Sequence, residues 1–240
     1  ITCGGGKLPA LDTTLQILRR ADGDPPTILA DDAAQWPAAE IDAWLEAGVM
    51  LPIAPAAALP CPQCAGDHCE EVVYLADPAS DETRAYLPCP VHGPSRVPFA
   101  ALRRWRIDVP ALLRWVFAGL AGGLAPRPVV ADRLWRIGRA RIEGRATTLM
   151  AGVRMNGRDA ESLLCGARLP PNVLLFVPHV LPGVAVLHAL PLPILPLTSV
   201  VTVRQGKIQL DLAPVAEQLA LGDDVGGRRR KRPAAKRASR

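Results

Sequence analysis

Four of the six cysteines, Cys61, Cys64, Cys69 and Cys89, fall within 29 residues. Two of them open nearly identical tetrapeptides, Cys61-Pro62-Gln63-Cys64 and Cys89-Pro90-Val91-His92, each preceded by Leu-Pro. The pattern is a C-x2-C, x24, C-x2-H array. A tight turn with side chains at i and i+3 presents two soft ligands to one ion, and two such turns complete a tetrahedron of thiolates and imidazole. Zinc suits that set, because it has no redox demand and accepts mixed sulfur and nitrogen ligands. The expected ligands are Cys61, Cys64, Cys89 and His92, with Cys69 and His68 as alternates if the first turn closes differently. Such clustering fits a metal better than a distributed disulfide framework. Cys3 and Cys165 stand apart.

One structural Zn2+ is the cofactor expected. Four protein ligands leave no open position for water, and no HExxH helix or H-x-E arrangement marks a catalytic metal. Histidine in a knuckle argues against an electron-transfer iron site. Between the two turns, EVVYL (71–75) and TRAYL (83–87) read as strands joined by a polar loop. Taken together, residues 61–92 resemble a zinc ribbon, in which two knuckles at the ends of a β-hairpin clasp one structural ion. The resemblance covers only that segment.

Other residue groups carry weaker chemistry. Gly4-Gly5-Gly6-Lys7 lacks the spacing and the hydroxyl of a phosphate loop. His179 and His188 have no nucleophile signature beside them and read as structural histidines. Asp108, Glu143, Asp159 and Asp211 are scattered, so no acid/base couple emerges and no catalytic residue is expected. Trp105, Trp115 and Trp135 lie among arginines, a pattern that either stacks on bases and grips phosphates or places core tryptophans beside solvated Arg.

The charge is divided unevenly. The net +5 depends on residues 228–240, RRRKRPAAKRASR, which hold eight of the 28 Lys and Arg and no acid. The remaining 20 bases face 23 acids, so residues 1–227 carry −3. Such a tail buries no core and is expected to be disordered, with Arg228, Arg229, Arg230, Lys231, Arg232, Lys236 and Arg237 free to track a phosphate backbone. Only four of the bases are Lys, a bias that a GC-rich genome produces without selection for Arg chemistry.

The elements that must position these groups are short, since 25 prolines break helices and ladders. Apolar spacing predicts helices over 11–21, 37–47 and 109–120, and alternation predicts paired strands within 134–150. VLLFV (173–177) reads as a buried strand and 184–192 as a further one. A hairpin is expected across Gln205-Gly206, then a helix over 213–221 with Asp211 as its cap. Prolines interrupt the apolar stretch 173–203, so no run approaches a spanning helix. A cytoplasmic protein without membrane attachment is expected.

The architecture implied is α+β: a small helical part (1–58), an inserted zinc ribbon (59–98), a mixed domain with short antiparallel strands (99–222) and a disordered basic tail (223–240). The function expected is a non-enzymatic zinc-binding protein associated with nucleic acid, as an accessory in DNA transactions. Alternatives are a metal-dependent enzyme such as a nuclease, or a scaffold whose ribbon holds a protein partner.

Overall fold

The structure is a computed structural model that describes residues 11–64, 68–76, 82–118, 125–142, 144–190, 192–204, 207–211 and 213–216. The protein is α+β and packs as two compact units. One unit is formed by residues 23–108, the other by residues 11–22 with those after Asp108. The basic tail, Cys3 and the Gly4–Lys7 stretch lie outside the described residues.

The first helix, α1 (Leu11–Ala21), spans the residues its apolar spacing predicts. Ile17, Leu18 and Ala21 bury one stripe, and Arg19 and Arg20 complement the negative end of the helix in its last turn. α1 belongs to the second unit.

The first unit opens with β1 (Thr27–Leu29), α2 (Ala30–Ala33) and α3 (Ala38–Glu46). Trp44 anchors α3 with no exposed surface, and Gly48 closes it at φ +67°, a left-handed conformation that favours glycine. There follow β2 (Met50–Ile53), β3 (Ala58–Pro60), β4 (Cys69–Glu71), β5 (Val73–Ala76), β6 (Thr83–Cys89), β7 (Gly93–Val97) and β8 (Arg104–Ile107). They form three antiparallel sheets, ordered β1-β8-β2, β3-β4 and β5-β6-β7. The single strand expected over 71–75 is divided. Val72 extends the β3–β4 pairing by donating its N–H to the Ala57 carbonyl (2.8 Å), after which the chain turns to β6, so β4 pairs with β3 while β5 pairs with β6. Ala56, Ala85, Leu87, Val97 and Leu102 form the core beneath these strands, with Leu59 packed against it.

The second unit continues with α4 (Val109–Val116), β9 (Arg127–Val130), β10 (Leu134–Ile142), β11 (Arg145–Gly152), α5 (Ala160–Gly166), β12 (Val173–Val177), α6 (Val184–Ala189), β13 (Ile194–Pro196), α7 (Leu197–Val200), β14 (Val201–Arg204) and β15 (Lys207–Leu210). A five-stranded mixed sheet, β13-β12-β11-β10-β9, organises it, antiparallel from β9 to β11 and parallel from β11 to β13. All five β12 residues are buried, as a parallel strand covered on both faces requires. Leu134, Met150, Leu175 and Val177 pack with Ala160 and Leu164 of α5, while Phe117 meets Phe176 edge-on at 5.2 Å. The Asp22 carboxylate accepts backbone N–H groups from Arg154, His179 and Val180 at 3.0 to 3.1 Å, fastening the end of α1 to two loops.

The strand expected over 184–192 is instead α6. The Gly183 carbonyl accepts the N–H groups of Val186 and Leu187 and starts a helical turn, and the parallel partner of β12 is taken by Ile194–Pro196. The expected hairpin is present as β14 and β15, with Val201 opposite Leu210. Asp211 Oδ1 accepts the Ala213 N–H (3.0 Å) at the start of a helical turn over 213–216. The rest of that expected helix falls outside the described residues. Among the described residues no helix is long and apolar enough to cross a membrane.

Candidate metal centre

Two proline-containing turns at strand ends supply the thiols. β3 runs through Leu59-Pro60 into Cys61, and Pro62–Cys64 wind into a tight 3-10 turn. The Cys61 N–H donates to the His68 carbonyl (3.0 Å) where β4 begins, closing the loop so that Cys61, Cys64 and His68 lie at its base. β6 runs through Leu87-Pro88 into Cys89, and a three-residue turn returns to Gly93, which pairs with Cys89 at φ +76°. Pro90 presets the first bend and glycine supplies the left-handed exit. The repeated Leu-Pro-Cys-Pro pattern thus has a geometric purpose. Leucine and cysteine two residues apart share a strand face, so Leu59 and Leu87 enter the core below while Cys61 and Cys89 are buried above it.

The result is a group of four ligand atoms, from Cys61, Cys64, His68 and Cys89, all within 4.8 Å of one another. Cys64 Sγ lies 3.7 Å from Cys89 Sγ, and Cys89 Sγ lies 3.6 Å from His68 Nε2. A tetrahedron with Zn–S of about 2.3 Å and Zn–N of about 2.0 Å has S···S edges of about 3.8 Å and S···N edges of about 3.5 Å. The edges observed fit an ion of that size, and the donor set can hold a metal ion. No protein-family model, curated protein or solved structure matches the chain.

The electrostatics of the thiols depend on how each is surrounded. Burial pushes the Cys64 thiol up to about 12, reinforced by the neighbouring thiols of Cys89 and Cys61. Burial also raises Cys89, but the backbone N–H groups of His92 and Val91, with the Cys61 and Cys64 thiols, outweigh it and bring Cys89 down to about 6. The backbone N–H groups at the second turn thus favour negative charge on the thiol group, while burial opposes it. Glu70 Oε1 stands 3.6 Å from His68 Nε2, placing a carboxylate beside the group.

Of the residues the sequence singles out, the structure gathers Cys61, Cys64, Cys89 and the alternate His68. His92 is exposed at the second turn, and its part in the site is its backbone N–H, donated to Cys89 Sγ at 3.3 Å. Cys69 is exposed on β4, opposite Pro60 and outside the four-atom group. Elsewhere, Cys165 is exposed on α5, and His179 Nδ1 is hydrogen-bonded with Thr198 Oγ1 at 3.2 Å. Asp159 is held by Arg133 at 2.7 and 3.2 Å. Trp105 and Trp135 are buried, so neither offers an open ring for base stacking. Glu143 and the tail bases Arg228, Arg229, Arg230, Lys231, Arg232, Lys236 and Arg237 lie outside the described residues.

Proposed function

We propose that Cys61, Cys64, His68 and Cys89 bind one structural Zn2+ and that the protein is a non-enzymatic, zinc-stapled accessory of nucleic acid. The observation that carries the zinc reading is the set of 3.7 and 3.6 Å edges joining donors from both turns. Four protein donors fill a tetrahedron and leave no position for a reacting water, so the ion acts as a staple. In this ribbon-like module the metal joins β3-β4 to β5-β6-β7 beside the apolar core that these strands share. Nucleic acid association is supported by the eight bases of residues 228–240, set against a remainder of net −3. If about six of them neutralise phosphates, the log-log salt slope on duplex DNA is near −5.

Fluorescence titration of a duplex with the full chain and with a chain ending at Gly227 tests this reading. Tighter, more salt-sensitive binding by the full chain supports it; no binding by either at low salt defeats the nucleic-acid part. A second reading, a scaffold for a protein partner, is favoured by one observation: Val73, Tyr74 and Leu75 are exposed in succession on β5, an edge strand among the described residues.

A further inference from the structure

Alternation along β10 would send Arg136 and Arg139 to opposite faces of the sheet, because three residues separate them. A β-bulge prevents it. Arg136 is opposite Met150, and after an irregularity at Ile137 the ladder resumes with Gly138 opposite Leu149, Arg139 opposite Thr148 and Arg141 opposite Ala146. Positions 150, 148 and 146 of β11 share one face, and directly paired residues of antiparallel strands point the same way. Arg136, Arg139 and Arg141 therefore lie on a single face. On the other side of β10, Arg127 of β9 is the register partner of Arg136 and joins them.

All four arginines are exposed, and none forms an ion pair with an acid among the described residues. Like charges directly opposite on neighbouring strands destabilise a sheet. The Arg127–Arg136 pairing is thus an unfavourable arrangement that an anion would relieve. The charge cannot be ascribed to a basic body either, since residues 1–227 carry −3. Arg139 and Arg141 are about 6.8 Å apart along the strand, and the row from Arg136 to Arg141 extends roughly 15 Å. A linear row of guanidinium forks, each able to take two oxygens of one phosphate, matches a polymer of regularly spaced phosphates.

We infer that the arginine face of β9 and β10, Arg127, Arg136, Arg139 and Arg141, is a docking surface for the phosphate backbone of nucleic acid. This rests on the nucleic-acid reading above and places a second contact on the folded body, independent of residues 228–240. Buried Trp135 leaves no stacking platform beside it. Recognition is therefore through phosphates and indifferent to base sequence. The bulge is what completes the surface, by bringing Arg136 onto the side that Arg139 and Arg141 already share.

The test uses the full chain, with anisotropy of a fluorescent 20-base-pair duplex measured across a salt series. One variant replaces Arg127, Arg136, Arg139 and Arg141 with Gln; a charge-matched control replaces Arg19, Arg114, Arg158 and Arg168, exposed arginines elsewhere. The face variant is expected to bind at least tenfold more weakly at about 0.1 M salt and to lower the salt slope by about 3 to 4, the control changing it far less. Arg136→Gln and Arg139→Gln alone should each lower it by about 0.9, which keeps the test valid if the quadruple variant folds poorly. Equal loss in face variant and control, or loss only when the tail bases are replaced, overturns this surface while leaving the nucleic-acid reading intact. No binding by the wild-type chain at low salt overturns both. Vesicles of anionic phospholipid that displace the duplex from wild type but bind the face variant poorly would assign the face to lipid instead.

Discussion

His68 Nε2 and Cys89 Sγ, 21 residues apart in the chain, stand 3.6 Å from one another across two separate sheets. That distance fits an edge of a metal tetrahedron, and it distinguishes the two histidines near the cysteines. His92 contributes a backbone N–H, which an alanine also possesses. His68→Ala should therefore weaken metal binding by more than about 100-fold, while His92→Ala should keep full metal content and change stability by less than about 0.5 kcal/mol. Competition with a chromophoric chelator reads both. The opposite ranking would make His92 the ligand.

The thiols divide in the same way. Cys61→Ser, Cys64→Ser and Cys89→Ser should each lose metal and destabilise the first unit by several kcal/mol, because metal binding to such a site is folding free energy. Cys69→Ser, on an exposed strand position, should be mild. Metal analysis with thermal denaturation checks this, and a Cys61→Ser protein that keeps both metal and melting temperature would refute it.

Metal affinity should rise with pH. Cys64, pushed up to about 12 chiefly by burial, must release its proton to ligate. At least one proton leaves per ion bound, so between about pH 7 and 8 the apparent affinity should increase at least tenfold. Chelator competition at the two values measures it, and a flat profile would contradict the assignment of Cys64.

The hydrogen bonds from Arg133 hold the Asp159 carboxyl below its ordinary value of 3.8. A depressed folded-state value gives stability that is present above the unfolded value and lost as pH falls through the folded one. Denaturant titrations should show Asp159→Asn less stable than wild type at pH 7, with the gap narrowing by pH 3. Any loss of metal at acid pH affects both proteins and cancels in the difference. A gap independent of pH would show that Arg133 acts through packing alone.

Periodic stretches were legible in the sequence. Leu11–Ala21, Val109–Val116, Val173–Val177 and the β14-β15 hairpin follow from apolar spacing and turn residues. The three cysteines of the site were legible too, because Leu-Pro-Cys-Pro occurs twice. The fourth member of the group, His68, was legible only as an alternate. The symmetry of the two tetrapeptides favours His92, whereas His68 is brought to the thiols by a strand pairing that the tetrapeptides do not display, the Cys61 N–H bonding to the His68 carbonyl as β3 meets β4. Likewise, a strand over 184–192 is plausible from composition, but which segment lies beside β12 is decided by tertiary pairing. The bulge at Ile137 leaves no mark in a sequence window, although it determines which face the arginines occupy. Asp22 is similar: a single acid after α1, it gathers N–H groups from residues more than 130 positions away.

Zinc K-edge X-ray absorption on the purified full chain, with elemental analysis of the same sample, reads the ion and its ligands together. About one zinc per chain is expected, with a first shell of three sulfurs at about 2.3 Å and one nitrogen at about 2.0 Å. A four-sulfur shell would bring in Cys69 in place of His68, and a sample without stoichiometric zinc, or with a shell of oxygen ligands, would refute a structural zinc at Cys61, Cys64, His68 and Cys89.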